Sequence, residues 1–181
     1  MTDEAEAVLD WWFGALSPEQ RFKRDSLVDD EIARRFGALH ARLSRGVPTE
    51  WRGGARRLLA AVIVLDQFSR NLFRDDARAF AQDAAAMALA EEAIERGCDV
   101  ALTADERQFL YMPYMHSEVL ADVERCIALM HAAGHEQGED FARRHADVIA
   151  RFGRYPARNA ALGRESTVEE AAFLAGTPMG F

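Results

Sequence analysis

The sequence predicts an all-α protein of seven to nine antiparallel helices. Apolar residues recur at the three- and four-residue spacing of a helix face along most of the chain, while strand-like alternation is nearly absent. Capping residues and glycine stops divide the helical runs from one another. The connections are short, which turns successive helices antiparallel.

The elements follow in order. Residues about 3–13 form a first short helix that ends at Gly14. Ser17-Pro18-Glu19-Gln20 supplies a cap, a proline at the first helical position and a closing glutamine. Residues about 28–45 place Ile32, Phe36, Leu39 and Leu43 at helical spacing, with Gly46 as the stop. From about 54 to 72 the chain is apolar on nearly every side at its centre, the mark of a buried central helix. An alanine-rich helix over about 76–96 ends at Gly97. Thr103-Ala104-Asp105-Glu106 is a capping box for the next helix, which Pro113 either kinks or ends before a new one runs to about 133. Residues about 137–152 form another helix stopped by Gly153, and a loop covers about 153–165. Ser166-Thr167-Val168-Glu169 is a second capping box and opens a last short helix to about 175. No clean internal repeat of solenoid length is visible.

A chain of 181 residues suits one domain, spanning 1–181, with a sizeable core. Hydrophobic and charged fractions of 49% and 29% are those of an ordinary globular protein, and no segment has the composition of a linker. A net charge of −8 repels nucleic acid on average and argues against a general DNA or RNA binder. The start, Met1-Thr2-Asp3-Glu4, lacks the basic stretch of a signal peptide, and the longest strongly apolar run, Leu58 to Leu65, is too short to cross a bilayer. Cys98 and Cys126 have no CxxC spacing, which indicates neither a disulfide framework nor a zinc site and suits a reducing cytoplasm. Lys23 is the only lysine beside 21 arginines. GC-rich codon usage explains the total, so functional interest falls on particular arginine clusters, where a planar guanidinium can grip carboxylate or phosphate at two points.

Three polar segments stand out. In the first, Asp66, Gln67, Arg70, Asn71, Arg74 and Arg78 follow the apolar run abruptly, and the last five would form one stripe if the helix continued. Asp66 and Arg70 are spaced to pair with each other. The second holds Arg107, Pro113, His116, Ser117, Glu118 and Asp122. His116 and Glu118 are two apart and diverge on a helix, which is poor geometry for a metal, so neither metal nor cofactor is expected. The third runs from His145 to Arg164 and contains Arg151, Arg154, Arg158 and Asn159, with Gly153, Pro156 and Gly163 shaping an irregular loop. Its arginines either face an anionic ligand or hold the acids of the other segments. His145, on a mostly apolar face with Ile149 and Phe152, suits a hydrogen-bonded structural histidine. There is no phosphate-binding glycine loop and no nucleophile elbow. Trp11, Trp12 and Trp51 are simplest as core or groove packing.

The runs LDQFSRNLFR, RQFLYMPYMHSE and HADVIARFGRYPARNAALGRES, with the opening VLDWWFG and the closing STVEEAAFL, resemble the signatures of the bacterial family called domain of unknown function 924. The resemblance covers nearly the whole chain and implies a tetratricopeptide-like helical array; it implies no activity. It places the family's polar signature on Asp66, Gln67, Arg70, Asn71, Arg74, Asp83, Arg107, His116, Ser117, Glu118, His145, Arg154, Arg158, Asn159 and Arg164. Ser69 stands where the pattern has proline, Ala157 where it has histidine and Val123 where it has glutamine. The missing histidine counts against chemistry that depends on that imidazole.

Three functions fit these segments, which are expected to meet in space. The leading one is a binding module, whose groove presents Arg70, Arg74, Arg154 and Arg158 to an anionic small molecule or a peptide carboxylate. The second is an enzyme using His116, Glu118 and His145 as acid–base groups, with arginines stabilising developing charge. The third is a scaffold that receives a partner helix through Trp11 and Trp12. The sequence leaves the oligomeric state open.

Overall fold

A computed structural model describes residues 3–176, and the first two residues of the acidic amino-terminal stretch lie outside that range. Among the described residues the regular structure is helical, without strands, which bears out the all-α class. The helices are α1 (Glu4–Leu9), α2 (Pro18–Phe22), α3 (Ser26–Leu43), α4 (Ala55–Val62), α5 (Phe68–Leu72), α6 (Asp83–Glu95), α7 (Ala104–Met115), α8 (Leu120–Ala132), α9 (Glu136–Phe152) and α10 (Val168–Gly176). Since α4 and α5 are joined by a π-helical turn (Ile63–Gln67) into one rod, the helical runs among the described residues number nine. No described helix is long and apolar enough to cross a membrane.

The chain forms two compact units, 3–74 with 78–113, and 75–77 with 114–176. The division falls inside α7, immediately after Pro113. In the first unit the α4–α5 rod is the centre: every residue from Leu58 to Ser69 is buried, packed by α1, α3 and α6. The expected central helix is therefore present, but with a wide turn in it. In a π turn the amide bonds five residues back instead of four, and one carbonyl is left over. Arg70 Nη1 donates to the Asp66 carbonyl at 2.9 Å, and Ser69 Oγ donates to the Leu65 carbonyl at 2.5 Å. The rod stops at Leu72, and Asp75 adopts a left-handed φ of 63°. Arg74 and Arg78 are consequently off the helix, and the polar stripe expected from Gln67 to Arg78 does not form. The helix expected over about 76–96 is shorter too: a 3-10 turn (Ala77–Ala79) precedes α6.

Trp11 and Trp12 lie in a second π-helical turn (Asp10–Ala15) and are buried among Phe36, Phe68 and Phe109, as is Trp51 elsewhere in the core. Their burial removes the exposed indole face that the scaffold reading needed. The Ser17 capping box is present, with Ser17 Oγ accepting from the Gln20 amide and Gln20 closing back. So is that of Thr103 with Glu106.

In the second unit α8 and α9 form a hairpin around Val123, Val148, Ile149 and Tyr155, against which Phe152 and Phe173 pack. Gly153 ends α9 in the left-handed region at φ 67°, where glycine carries no side-chain penalty. The last capping box differs by one residue from the expectation. Thr167, not Ser166, caps α10, and Glu170, not Glu169, closes the box. Both cysteines are free thiols, and burial pushes that of Cys126 up to about 12.

Candidate functional site

The first polar segment builds an ion-pair cluster in the first unit. Asp66 is wholly buried on the π turn, with Gln67 Nε2 donating to its Oδ2 at 2.5 Å. Arg70 Nη1 reaches Asp66 Oδ1 at 3.0 Å, and its two terminal nitrogens grip Asp83 at 2.9 and 3.1 Å. Its guanidinium lies 5.6 Å from the centre of the Phe80 ring. Arg74 closes on Asp29 with Nε and Nη2, and Asn71 Nδ2 donates to the same carboxylate at 2.7 Å. Ser69 bonds a buried histidine. Its hydroxyl proton is used on Leu65, so His40 Nε2 donates to Ser69 Oγ at 2.8 Å. Burial lowers the pKa of His40 and favours this neutral form.

Arg107 is engaged by backbone carbonyls instead. Its Nε donates to the carbonyls of Asp99 and Leu102 and its Nη2 to that of Val100. It ties down the turn before α7, a structural use of an arginine that the sequence offered as a site residue.

In the second unit, the second and third segments meet. Glu118 is the hub. Arg164 grips both its oxygens at 2.7 and 2.9 Å, and the Tyr155 amide donates to Oε1 at 2.8 Å. Burial opposes the carboxylate charge, but Arg164, the Tyr155 amide and Arg158 together bring its pKa below the ordinary range. Arg154 closes on Glu170 at 2.6 and 2.8 Å. That pair, with the Thr167 amide, holds the Glu170 carboxyl down at about 2. Asn159, also buried, donates to Ser166 Oγ at 3.1 Å. Ser117 Oγ donates to Asp122 at 2.6 Å and serves the start of α8.

Arg158 is held differently. Its Nη2 donates to the His116 carbonyl at 2.8 Å, and its guanidinium lies over the Tyr155 ring at 4.6 Å. The Tyr155 hydroxyl in turn donates to the Met115 carbonyl at 2.6 Å, locking the ring. The imidazole of His145 packs edge-on to the same ring at 5.6 Å. Its Nδ1 donates to the Phe141 carbonyl at 2.7 Å, which leaves Nε2 as the acceptor of a neutral ring. Burial is the main cause of its low pKa, about 4. The Phe141 carbonyl opposes the shift, while His116 and Arg158 add to it. Arg158 and His145 thus both lie against Tyr155, and the charges of Arg158 and His116 both act on His145.

Of the thirteen candidate residues, Asp66, Gln67, Arg70, Asn71 and Arg74 gather in the first unit, and His116, Glu118, His145, Arg154, Arg158, Asn159 and Arg164 in the second. The sequence reading missed Asp29, Tyr155 and Glu170. Glu170 had a signal, since the one-residue shift of the capping box puts it at the closing position. Among the described residues, no group of three or more His, Cys, Asp or Glu side chains is placed to hold a metal ion.

Fold and site define an all-helical protein whose sequence motifs are spent on buried ion pairs in one unit and on a basic, histidine-flanked loop in the other. The chain belongs to the family described as bacterial protein of unknown function (DUF924), whose model matches residues 8–177. It is similar to the solved structure of the protein of unknown function ATU0120 from Agrobacterium tumefaciens, at 37% identity and a TM-score of 0.90, over 96% of this chain and 98% of that one. No curated protein matches the chain.

Proposed function

We propose that this protein binds a small molecule or peptide terminus bearing a carboxylate or phosphate, held in the second unit by Arg158 with His116 and His145 beside it. The carrying observation is a guanidinium and an imidazole on one locked tyrosine ring, with His116 near enough for its charge to act on that imidazole. Arg70, Arg74, Arg154 and Arg164 are each matched by a carboxylate, so bound anion gains little from them. Arg158 donates to a carbonyl and lies over a ring, and its charge acts on both His145 and the Glu118 carboxyl. An acid–base enzyme is the second reading. The coupling of His145 to His116 favours it, while the engagement of both Glu118 oxygens by Arg164 takes that carboxylate out of proton transfer.

Thermal denaturation with and without inorganic phosphate, acetate, citrate and short peptides tests the proposal. A ligand at a hundred times its dissociation constant adds about 2.7 kcal/mol, roughly 5–10 °C for a chain of this size. The shift should vanish in Arg158→Ala while the unliganded variant still melts cooperatively. An unchanged shift in Arg158→Ala, or none in the parent protein, sinks the reading.

A further inference from the structure

We infer that the first unit holds a second ligand site, for an organic carboxylate with an aromatic or other apolar body, between the indole N–H of Trp12 and the guanidinium of Arg21. Tryptophan's Nε1 can only donate, and a buried indole normally finds an acceptor. Trp12 is 1% exposed, yet its Nε1 has no hydrogen-bond partner among the described residues, and neither has the buried Nε of Arg21.

The two residues that carry these donors, Trp12 and Arg21, border one ring. The centre of Phe109 is 5.5 Å from those of Trp12, Phe13 and Phe22, and the Arg21 guanidinium lies 5.9 Å from Phe109 and 5.3 Å from Phe13. These rings offer no conventional acceptor. Burial lowers the pKa of Arg21, and Asp105, the acid that opposes the shift, does not outweigh it. A group that satisfies both donors must accept only and should carry negative charge, which is the chemistry of a carboxylate. The aromatic walls select an apolar body and disfavour a strongly hydrated ion such as phosphate. Access is through α2, which carries Arg21 and Phe22. It is five residues long, has no buried residue, and lays the 53%-exposed Phe22 flat on Phe109 at an interplanar angle of 22°.

The test is calorimetric titration of the full chain with phenylacetate, with inorganic phosphate as the comparison, in the parent protein and in Trp12→Phe, Arg21→Gln and Arg158→Ala. The expected result is saturable binding of phenylacetate but not phosphate, weakened at least tenfold in Trp12→Phe and Arg21→Gln and unchanged in Arg158→Ala. Arg21 is on a helix without buried residues, so Arg21→Gln reports even where Trp12→Phe fails to fold. Absence of phenylacetate binding, or undiminished binding in Arg21→Gln, overturns the site. Loss confined to Arg158→Ala also overturns it and assigns the carboxylate to the second unit instead.

Discussion

In the first unit, Arg70 stands between the carboxylates of Asp66 and Asp83, and Arg74 closes on Asp29. In the second, Arg154 closes on Glu170 and Arg164 on Glu118, while Arg158 donates to the His116 carbonyl and lies over the Tyr155 ring. Both regions are rich in arginine. Affinity for an anion follows the local excess of charge, not the density of guanidinium groups, and buried pairs whose partners are both present favour a unique fold more than a ligand. The difference predicts that substitutions in the first cluster act on stability and those at Arg158 on binding.

The largest effect is expected at Asp66. Asp66→Asn keeps the shape but leaves Arg70 in a buried place with one carboxylate fewer, and should cost about 3–5 kcal/mol in urea unfolding. A loss below about 1 kcal/mol would erase the contrast between the units. His145 comes next. Its folded pKa of about 4 lies below the ordinary 6.5, so the unfolded chain takes up the proton first as pH falls. Stability is then lost between about pH 6.5 and 4, by about 3 kcal/mol if the whole shift is realised. The slope of stability against pH in that window should flatten in His145→Gln; an unaltered slope would show that the ring is not desolvated. Glu170 acts in the opposite sense and lower range: its depressed carboxyl contributes stability that is lost as pH falls from the ordinary carboxylate range towards 2. Smaller again is the cap of α10. Thr167→Ala should cost about 1 kcal/mol and Ser166→Ala distinctly less, because Thr167 accepts from the Glu170 amide. Arg158→Ala should cost the least stability of these, under about 1 kcal/mol, while removing the proposed anion site.

Much of the fold was legible because local rules decide it. The Ser17 and Thr103 caps, the glycine stops at Gly97 and Gly153 and the buried run from Leu58 to Leu65 each rest on residues a few positions apart. What failed depends on distance or on sub-residue register. No sequence pattern announces a π turn, so Gln67 and Arg74 were set on one helix face that the chain does not build. Asp29 is 45 positions from Arg74, and only the packing of α3 against α5 brings them together. The tie between Glu118 and Arg164 spans 46 positions, and there the polar character of the two segments did point to each other. The cap of α10 was placed one residue early because Ser-Thr-Val-Glu and Thr-Val-Glu-Glu both satisfy the same pattern, and burial of Glu170 chooses between them.

The π turn at Ile63–Gln67 has a consequence for how this family can change by insertion and deletion. A π turn holds one residue more than the α-helix around it, and one residue corresponds to about 100° of rotation. Deleting a single apolar residue there would be silent in composition and would leave a longer, more regular helix. The turn would absorb that deletion and keep Arg70 facing Asp83 and Ser69 facing His40, whereas the same deletion in the flanking α-helix would swing both away by about a quarter turn. The side-chain geometry of this cluster is written in the length of the rod as much as in its letters.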